Sequence, residues 1–430
     1  YSFGQFYHKT NGFRENNDSD QRIYNAFVQV SLTPKASIQG EVRSEKKETG
    51  DLDLTFDPAY FSLDQRIRLD AKTYRIGFNY HSSPYSDWIA SFFYKKQTNS
   101  DDTLKSKLDG FNSEIQYLFR SARYHLIVGG GHFNGDRQVI GVTTTSETTS
   151  RHANAHAYTY FQPIQNMTLT LGASHDRFDG LPMDRQQFNP KLGLMWAITP
   201  LTTLRAAHFK VLKKVIVSNQ TIEPTQVAGF QQFFDDPNAA DSMRQGIALE
   251  RRFSDSLFGG LEFSKREITI HFITFIPDEE PEVHVDERLN RVYLYWTFLQ
   301  RVAAGAEYQV EKFDSDNITI PFAPKIKTNR VPLSLHFFPR GGLFAKLKAT
   351  HIEQEGLFEG ALPPFNFELG KDQFWLFDAS VGYRLPKQRG IFTIEAKNLL
   401  DKSFQFHETD IGNPLIQPKR LIFAKLTLLF

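Results

Sequence analysis

Segments in which every second residue is apolar recur in pairs along the whole chain, and this pattern constrains the fold more than any other feature. Between Tyr74 and Tyr80 apolar and polar residues alternate, SSPYSD then supplies turn-forming residues, and the alternation resumes from Trp88 to Tyr94. A period of two residues is the period of a β-strand, so this unit is predicted to be a β-hairpin. The same unit is found from one end of the sequence to the other.

The connections between the alternating segments fall into two length classes, which follow each other in strict order. Nine are short turns and ten are longer polar stretches rich in Asp, Asn, Thr and Gly, so they separate twenty predicted strands. The short turns are predicted at 33–37, 82–87, 120–124, 163–166, 199–203, 252–258, 298–301, 338–342 and 385–390. The long loops are predicted at 11–22, 48–64, 97–109, 134–150, 177–187, 214–240, 274–288, 313–325, 355–370 and 405–416.

This order predicts an all-β fold: a transmembrane antiparallel up-and-down β-barrel of about 20 strands, which occupies residues 1–430 as a single domain. The short turns would face the periplasm and the long loops the outside, and an even strand number places both termini in the periplasm. A soluble β-sandwich also alternates, but its loops would not sort into two length classes. No apolar run approaches the roughly 18 to 20 residues that a membrane helix needs.

The composition is compatible with an outer-membrane location. There are 40 Phe and 16 Tyr, and aromatic residues favour strands. With 50 basic and 49 acidic residues the net charge is +1, which argues against nucleic acid as a partner. The absence of Cys excludes disulfides, thiolate metal sites and Cys nucleophiles. Aromatic residues near predicted strand ends are expected to form interfacial girdles: Tyr80, Trp88, Tyr94, Tyr158, Tyr160, Trp296 and Trp375.

The end of the chain carries a family resemblance. The stretch SVGYRLPKQRGIFTIEAK, which includes the short turn at 385–390, is followed by Asn398-Leu399-Leu400-Asp401, and the terminal strand RLIFAKLTLLF ends at Phe430. Together with NQTIEPTQVAGFQQFFDD, these features resemble TonB-dependent receptor barrels, and the whole chain is most similar to plugless barrels of this type fused to periplasmic tetratricopeptide repeats. The plug, the energy-coupling box and the roughly 22 strands of an intact receptor do not fit this chain. An upstream periplasmic domain or plug is therefore expected to be absent from it.

The resemblance also implies roles for the terminal strand and for one loop. Leu426, Leu428 and Phe430 would form the signal that the barrel-assembly machinery reads. The stretch before a descending strand would be an extracellular loop segment, with candidate residues Asn219, Glu223, Pro224, Phe230, Phe233 and Asp235.

Charged residues that alternate with apolar ones are expected to line the lumen. Both signs occur in comparable numbers, whereas a pore selective for one ion sign should show a skewed set. The mixture suits a neutral, hydroxyl-rich solute such as a polysaccharide, and it suits cross-lumen ion pairs equally well. The predicted lumen residues are Arg75, Glu114, Arg205, Glu250, Glu262, Glu307, Lys346, Lys348, Glu395, Lys397 and Lys425.

Motifs for catalysis or metal binding are weak, and no catalytic residue, metal or cofactor is predicted. On a strand, His152 and His156 would lie roughly 13 Å apart, which is too far for a shared metal. The acidic run Pro277–Glu287 lacks the ligand spacing of a calcium loop and is expected to face lipopolysaccharide. Ser174 and His175 are adjacent in GASHD and would point to opposite faces of a strand, so they do not predict a catalytic triad.

These observations predict a conduit and not an enzyme: the outer-membrane module of a larger periplasm-spanning assembly that moves a polymer or another solute. Its partners would be the lipid bilayer, lipopolysaccharide, the barrel-assembly machinery and a periplasmic protein. One alternative is a structural anchor or sheath for a periplasmic or surface partner, such as a redox protein. The other is the barrel of a TonB-dependent uptake receptor.

Overall fold

The fold is one long antiparallel β-meander. The computed structural model describes residues 1–59, 61–180, 184–214, 220–271, 282–316, 324–359, 367–409 and 416–428. Twenty strands form a single sheet, and two short strands, β12 and β13, form a separate hairpin. In the described residues the helical structure is a 3-10 turn at Pro386–Gln388, and no helix there is long and apolar enough to cross a membrane. The predicted all-β class and the strand number are confirmed.

Many strands are longer than a bilayer requires. A strand of 17 residues such as β4 spans roughly 55 Å at about 3.3 Å per residue, whereas the apolar band of a membrane barrel is about 25 Å tall. The strands are β1 Ser2–Thr10, β2 Ser19–Thr33, β3 Ala36–Thr49, β4 Ile67–Ser83, β5 Ser86–Ser100, β6 Lys105–Arg120, β7 Tyr124–Ile140, β8 Thr145–Phe161, β9 Met167–Asp179, β10 Arg185–Thr199, β11 Thr202–Leu212, β12 Gln226–Val227, β13 Phe230–Gln231, β14 Asp241–Arg252, β15 Leu257–His271, β16 Glu282–Leu299, β17 Val302–Ser315, β18 Lys325–Phe337, β19 Leu343–Glu359, β20 Phe367–Arg384, β21 Gly390–Lys397 and β22 Leu421–Leu428.

The nine predicted short turns each join two neighbouring strands of the sheet. Several of the predicted long loops are wrong in extent. The loop predicted at 97–109 is reduced to the four residues between Ser100 and Lys105, and that at 134–150 to the four between Ile140 and Thr145. The polar composition of these stretches hid the strands, because the backbone continues to pair beyond the point where the side chains become charged.

The two faces of the sheet differ sharply in polarity. Directly opposed residues of antiparallel strands share a face, so the register can be followed across the sheet. One face carries a continuous set of solvent-exposed apolar side chains, here called the apolar face, which includes Ile76, Ile115, Val292, Leu347 and Ile422. An exposed apolar surface of this extent is the mark of contact with lipid or with another protein.

Aromatic residues bound the apolar face on strands β4 and β5. Tyr80 lies opposite Trp88, and Tyr74 lies opposite Tyr94. The two pairs are six residues apart, or roughly 20 Å at about 3.3 Å per residue, close to the height of a membrane barrel's apolar band. The girdle prediction is wrong for Tyr158 and Tyr160, because the register places both on the opposite face, where Tyr158 is fully buried.

The outermost strands of the sheet are β1 and β22. In the described residues β1 pairs with β2 and β22 pairs with β21, and neither has a second hydrogen-bonded neighbour. Residues from the two halves of the sheet nevertheless meet: the rings of Phe56, in the loop between β3 and β4, and Phe358, on β19, stack at 3.9 Å between centroids. The backbone N–H of Glu408 also donates to the carbonyl of Leu54 at 2.9 Å.

Candidate functional site on the polar face

The second face of the sheet, here called the polar face, carries the charged residues that the sequence predicted to line a lumen. Arg75 lies opposite Phe93, which lies opposite Asn112, two residues from Glu114 on the same strand. Followed strand by strand, the register places all eleven predicted residues on this one face. Whether that face encloses a lumen remains a prediction.

Part of the connection between β11 and β14 packs against the polar face. This inner segment, residues 213–214 and 220–240, contains the β12–β13 hairpin, in which Val227 pairs with Phe230. Its turn residues Ala228 and Gly229 both have positive φ, at 47° and 84°, as a two-residue hairpin turn requires. The hairpin's apolar side chains are buried against polar-face residues of β11 and β14, including Phe209.

A buried ion-pair network fastens the inner segment to strand β6. The Nζ of Lys214 lies 2.8 Å from Oε2 of Glu223 and 3.4 Å from Oε1 of Glu114. Glu114 also accepts the hydroxyl of Thr221 at 2.5 Å and the backbone N–H of Ile222 at 3.1 Å. Although burial opposes it, the Lys214 ammonium holds the pKa of the Glu223 carboxyl down at about 2. Both partners are therefore charged at neutral pH.

Neutral donors on strand β8 complete the surroundings of Glu223. The Tyr158 hydroxyl donates to Oε1 at 2.8 Å, and the Asn154 amide donates to Oε2 at 3.1 Å. Gln232 of the inner segment donates to the carbonyl of Pro224 at 2.7 Å. A buried carboxylate with a cation and two hydrogen-bond donors is a satisfied charge, so this network holds the segment in one position.

Two arginines of the sheet, Arg205 and Arg266, hold the later part of the inner segment, from the hairpin turn to Asp236. Arg205 binds Glu250 at 2.8 Å and Glu262 at 3.2 Å, and it donates to the carbonyl of Ala228 at 3.3 Å. Arg266 forms a bidentate pair with Asp236 at 2.9 and 3.0 Å. Planar bidentate pairs of this kind fix geometry as well as charge.

The charges on β16 to β22 are paired less completely. Glu307 accepts from Arg291 at 2.9 Å and from the Tyr295 hydroxyl at 2.6 Å. Lys397 lies 3.9 Å from Asp378, at the limit of an ion pair. In the part of the chain that the structure describes, no carboxylate lies within ion-pair distance of Lys346, Lys348 or Lys425, and no cation lies within that distance of Glu395.

A second covering segment follows β21 and begins at the Asn398–Asp401 turn. Asn398 is buried, has a φ of 45°, and its side chain bonds both the N–H and the carbonyl of Lys402. Asp401 accepts the N–H of Arg420 at 2.9 Å. The segment then packs Phe404 and Phe406 against polar-face residues of β19 and β20, with the rings of Phe404 and Phe374 stacked at 4.2 Å between centroids.

The predicted extracellular-loop residues divide between the interior and the surface. Glu223 and Phe230 are buried, Phe233 packs against the same cluster, and Pro224 supplies a carbonyl acceptor. Asp235 is exposed, and Asn219 lies outside the described residues. Their position relative to a membrane remains a prediction. On the terminal strand, Leu426 and Leu428 are exposed on the apolar face, and Phe430 lies outside the described residues.

His152, His156 and Ser174, which belong to the weak motifs of the sequence, lie on the polar face. His152 and Ser174 both bond the carboxylate of Asp176, at 3.1 and 2.8 Å, so the carboxylate stands between them and no Ser–His–Asp order arises. Within the described ranges no group of three or more metal-ligating side chains is present. His156 lies 3.9 Å from Glu223.

Sequence reasoning missed Lys214, Tyr158 and Arg291, the partners of the predicted charges. Lys214 sits in a stretch that reads as a polar loop, and Tyr158 reads as a girdle residue. The sequence does contain one signal for the inner segment, namely Ala228-Gly229 between Val227 and Phe230. A two-residue turn flanked by large apolar residues indicates a hairpin that needs a surface to pack against.

Comparison with known proteins shows the fold. No protein-family model matches the sequence, and no curated protein matches it. The structure is similar to the FrpB iron transporter from Neisseria meningitidis, with a TM-score of 0.74 and 12% identity over 99% of this chain and 75% of that one. It is similar to the copper transporter OprC, with a TM-score of 0.73 and 11% identity over 100% of this chain and 76% of that one.

A third similar structure is the ferripyoverdine receptor of the outer membrane of Pseudomonas aeruginosa, with a TM-score of 0.67 and 11% identity over 97% of this chain and 66% of that one. At these identities the likeness establishes the fold alone. The chain has the fold of outer-membrane transport receptors, which agrees with the resemblance of its last strands, and it spans 66% to 76% of the length of these three solved chains.

Proposed function

We propose that this chain is the membrane-spanning barrel of an outer-membrane transport protein, with a lumen that a solute crosses and an inner segment that narrows it. The observation that carries the proposal is the asymmetry of the sheet: exposed apolar residues on one face, charged residues and buried ion pairs on the other. In lipid such a sheet satisfies its backbone groups only as a closed cylinder with the polar face inside.

Contacts across the polar face support closure. Phe56 lies in the loop between β3 and β4 and Phe358 lies on β19, so most of the meander separates them. Their rings nevertheless stack at 3.9 Å between centroids. The inner segment likewise joins β6, through Glu114, to β15, through Arg266. A sheet that curls this far brings β22 toward β1, and we propose that these two strands form the seam.

The orientation follows from the same barrel. The short turns and both termini would face the periplasm, where an upstream domain or partner protein would attach, and the chain would be one module of a larger assembly. On the same side of the sheet as the apolar face, charged residues follow Tyr74 and Tyr94 toward the long loops. Lys72 lies opposite Lys96, and Lys96 lies 3.4 Å from Asp109. Charges just above an aromatic row suit contact with lipopolysaccharide headgroups.

The cargo in this proposal is a polymer or another solute that passes along the polar face. Barrels of 16 to 18 strands leave an aqueous channel, and those of about 22 are plugged. A barrel of 20 strands with its own inner segment would be a restricted channel. It is not proposed to be an enzyme, because the similar solved structures are transport receptors.

The test is conductance in planar bilayers. Purified protein should give small channels, and a variant in which residues 220–236 are replaced by a short Gly/Ser linker should give larger ones, because the inner segment no longer fills the polar face. Heat-modifiable migration on gels verifies that each protein is folded. If neither protein conducts and no co-purifying partner occupies the lumen, the transport proposal is wrong; a stoichiometric partner in the lumen would instead support a sheath.

A second candidate is the barrel of a TonB-dependent uptake receptor. The observation in its favour is the likeness to an iron transporter and a copper transporter, whose chains are longer than this one. The sequence encoded upstream of Tyr1 discriminates the two: a plug and an energy-coupling box would support the receptor, and helical repeats would support the conduit.

A further inference from the structure

Ion pairing divides the charges of the polar face into two groups. On the side covered by the inner segment, the predicted carboxylates are held in ion pairs: Glu250 and Glu262 share Arg205, and Glu114 is paired with Lys214. Glu307 is paired with Arg291 at 2.9 Å. The predicted lumen residues include acidic and basic side chains in comparable numbers, but this balance does not describe the charge that remains available to a solute.

Four of the predicted lumen lysines lie together on strands β19 to β22, and in the part of the chain that the structure describes three of them, Lys346, Lys348 and Lys425, have no carboxylate within ion-pair distance. Lys346 and Lys348 are consecutive inward positions of β19, Lys397 is on β21 and Lys425 is on β22. These four residues are here called the basic patch. With neighbouring strands about 4.8 Å apart, β19 and β22 are separated by roughly 15 Å, so the patch has the width of a small molecule or of one or two sugar rings.

Two carboxylates face the basic patch from its own strands. Asp378 lies opposite Lys348, and it accepts the backbone N–H of Asn398 at 3.0 Å while lying 3.9 Å from Lys397. Glu395 lies opposite Ser380, which is opposite Lys346. Arg384, on the polar face near the short-turn end of β20, adds a further cation over the ring of Phe344, 5.8 Å from its centroid.

We propose that the basic patch is an anion-binding site on the lumen wall, and that the cargo is a solute bearing several carboxylate, phosphate or sulfate groups. The proposal rests on the transport function proposed above and names its substrate class. Four lysines against two carboxylates leave a positive field in a concave, partly desolvated wall, where field lines are focused. Lysines are flexible point charges, so they hold an anion at several weak sites and release it, as conduction requires.

The exposed aromatic side chain of Phe423 lies within the patch. It is on the polar face, opposite Glu395, on the strand that carries Lys425. An aromatic ring between lysines can stack against the ring of a charged sugar, so an acidic polysaccharide is the macromolecular cargo that the patch fits. A neutral polysaccharide would gain the stacking contact but nothing from the lysines.

The first test measures ion selectivity. In a planar bilayer with a KCl gradient, the reversal potential of the wild-type channel should indicate preference for Cl⁻. The variant Lys346→Gln/Lys348→Gln/Lys425→Gln should lose that preference, and Lys346→Gln/Lys348→Gln, which leaves the terminal strand intact, should lose part of it. The matched control is Lys325→Gln/Lys327→Gln/Lys371→Gln, which removes three lysines from the other face of the sheet, on the neighbouring strands β18 and β20.

The second test measures binding and does not need a conducting channel. Fluorescent dextran sulfate should bind the detergent-solubilised protein, and its affinity should fall as salt is added. Its affinity for the lysine-to-glutamine triple variant should be at least several-fold lower. Neutral dextran of the same mass should not bind. Channels without anion preference, or dextran sulfate binding that the triple variant retains, would overturn the anion site. Binding that depends on the patch in a protein that never conducts would uphold the site and overturn transport instead.

Discussion

The Nζ of Lys214 lies 2.8 Å from Oε2 of Glu223, and their side chains expose only 5% and 3% of their surface. Glu114 of strand β6 shares the same ammonium at 3.4 Å. One buried cation thus joins the inner segment to the wall of the sheet. Removing one partner of a buried ion pair leaves an unneutralised charge, which costs about 3–5 kcal/mol.

Lys214→Met should therefore release the inner segment while the sheet stays folded. We expect larger single-channel conductance and faster tryptic cleavage within residues 220–240, because Glu114 and Glu223 would repel each other and seek water. Lys210→Met is the matched control: Lys210 lies on the other face, half-exposed, and pairs with Asp241 at 3.0 Å. Equal conductance in Lys214→Met and wild type would show that this network does not hold the segment.

Gly246→Val should expel the hairpin by steric overlap. A side chain at Gly246 would collide with the ring of Phe230, which occupies the space above this strand position. Overpacking of this kind costs about 1–3 kcal/mol, so the hairpin should leave its site and the channel should widen. Gly40→Val adds the same side chain to the apolar face, where the nearest atom of another residue is 3.8 Å away, and should leave conductance unchanged. A closed channel in Gly246→Val would contradict the packing role of Phe230.

The inner segment should stay bound to the polar face at neutral pH and leave it only in strong acid. The pKa of Glu223 is lowered to about 2 in the folded protein, from an ordinary value of 4.5. A depressed carboxyl pKa contributes stability that is fully present above about 4.5 and is lost as the pH falls towards 2. Conductance recorded from pH 8 to pH 3 should stay constant down to about 4.5 and rise below it. An opening centred near pH 6 would indicate a histidine and not this ion pair.

The strands were predictable from the sequence because their signal is local. Tyr74 to Tyr94 shows its alternation and its turn within one window, and a period of two defines the faces of every strand once the register is known. The extent of strands such as β7 was not predictable, since residues 134–138 are polar or Gly on both faces and only pairing with β8 makes them a strand.

The inner segment was not predictable for the opposite reason: its contacts are distant in sequence. Lys214 and Glu114 are separated by 100 positions, and their attraction depends on how far the sheet curls. The same holds for the basic patch. The alternation placed its lysines on one face, as the register does, but which of the charges on that face have ion-pair partners depends on contacts such as those of Arg205 with two glutamates.

The terminal strand should direct assembly through its apolar face. Leu428→Asp, or deletion of Phe430, should reduce insertion into the outer membrane, because a charge would replace an exposed apolar side chain where lipid is expected. Thr427→Asp is the control: Thr427 is opposite Ile391 on the polar face, so the same charge would point away from lipid. Normal amounts of heat-modifiable protein from Leu428→Asp would show that this strand does not carry the assembly signal.

Cysteine cross-linking should detect the seam between β1 and β22. The chain contains no Cys, so an introduced pair has no competing thiols. Gln5 lies opposite Tyr24 and shares the apolar face with Ala424, Leu426 and Leu428. Because β1 and β22 would be antiparallel neighbours, Gln5→Cys combined with Cys at one of these three positions should form a disulfide on oxidation, since opposed residues bring their Cβ atoms within about 5.5 Å.

The control for the seam combines Gln5→Cys with Ile247→Cys, which is on the same face but in the middle of the meander, on β14. The bridged protein should migrate faster on gels of unfolded samples than its reduced form, because the disulfide closes almost the whole chain into a loop. It should also resist unfolding more strongly, since cross-linking a long loop restricts the unfolded state by about 4–5 kcal/mol. If no position on β22 bridges to Gln5→Cys in folded, membrane-inserted protein, β1 and β22 are not neighbours, and the closed barrel proposed here is wrong.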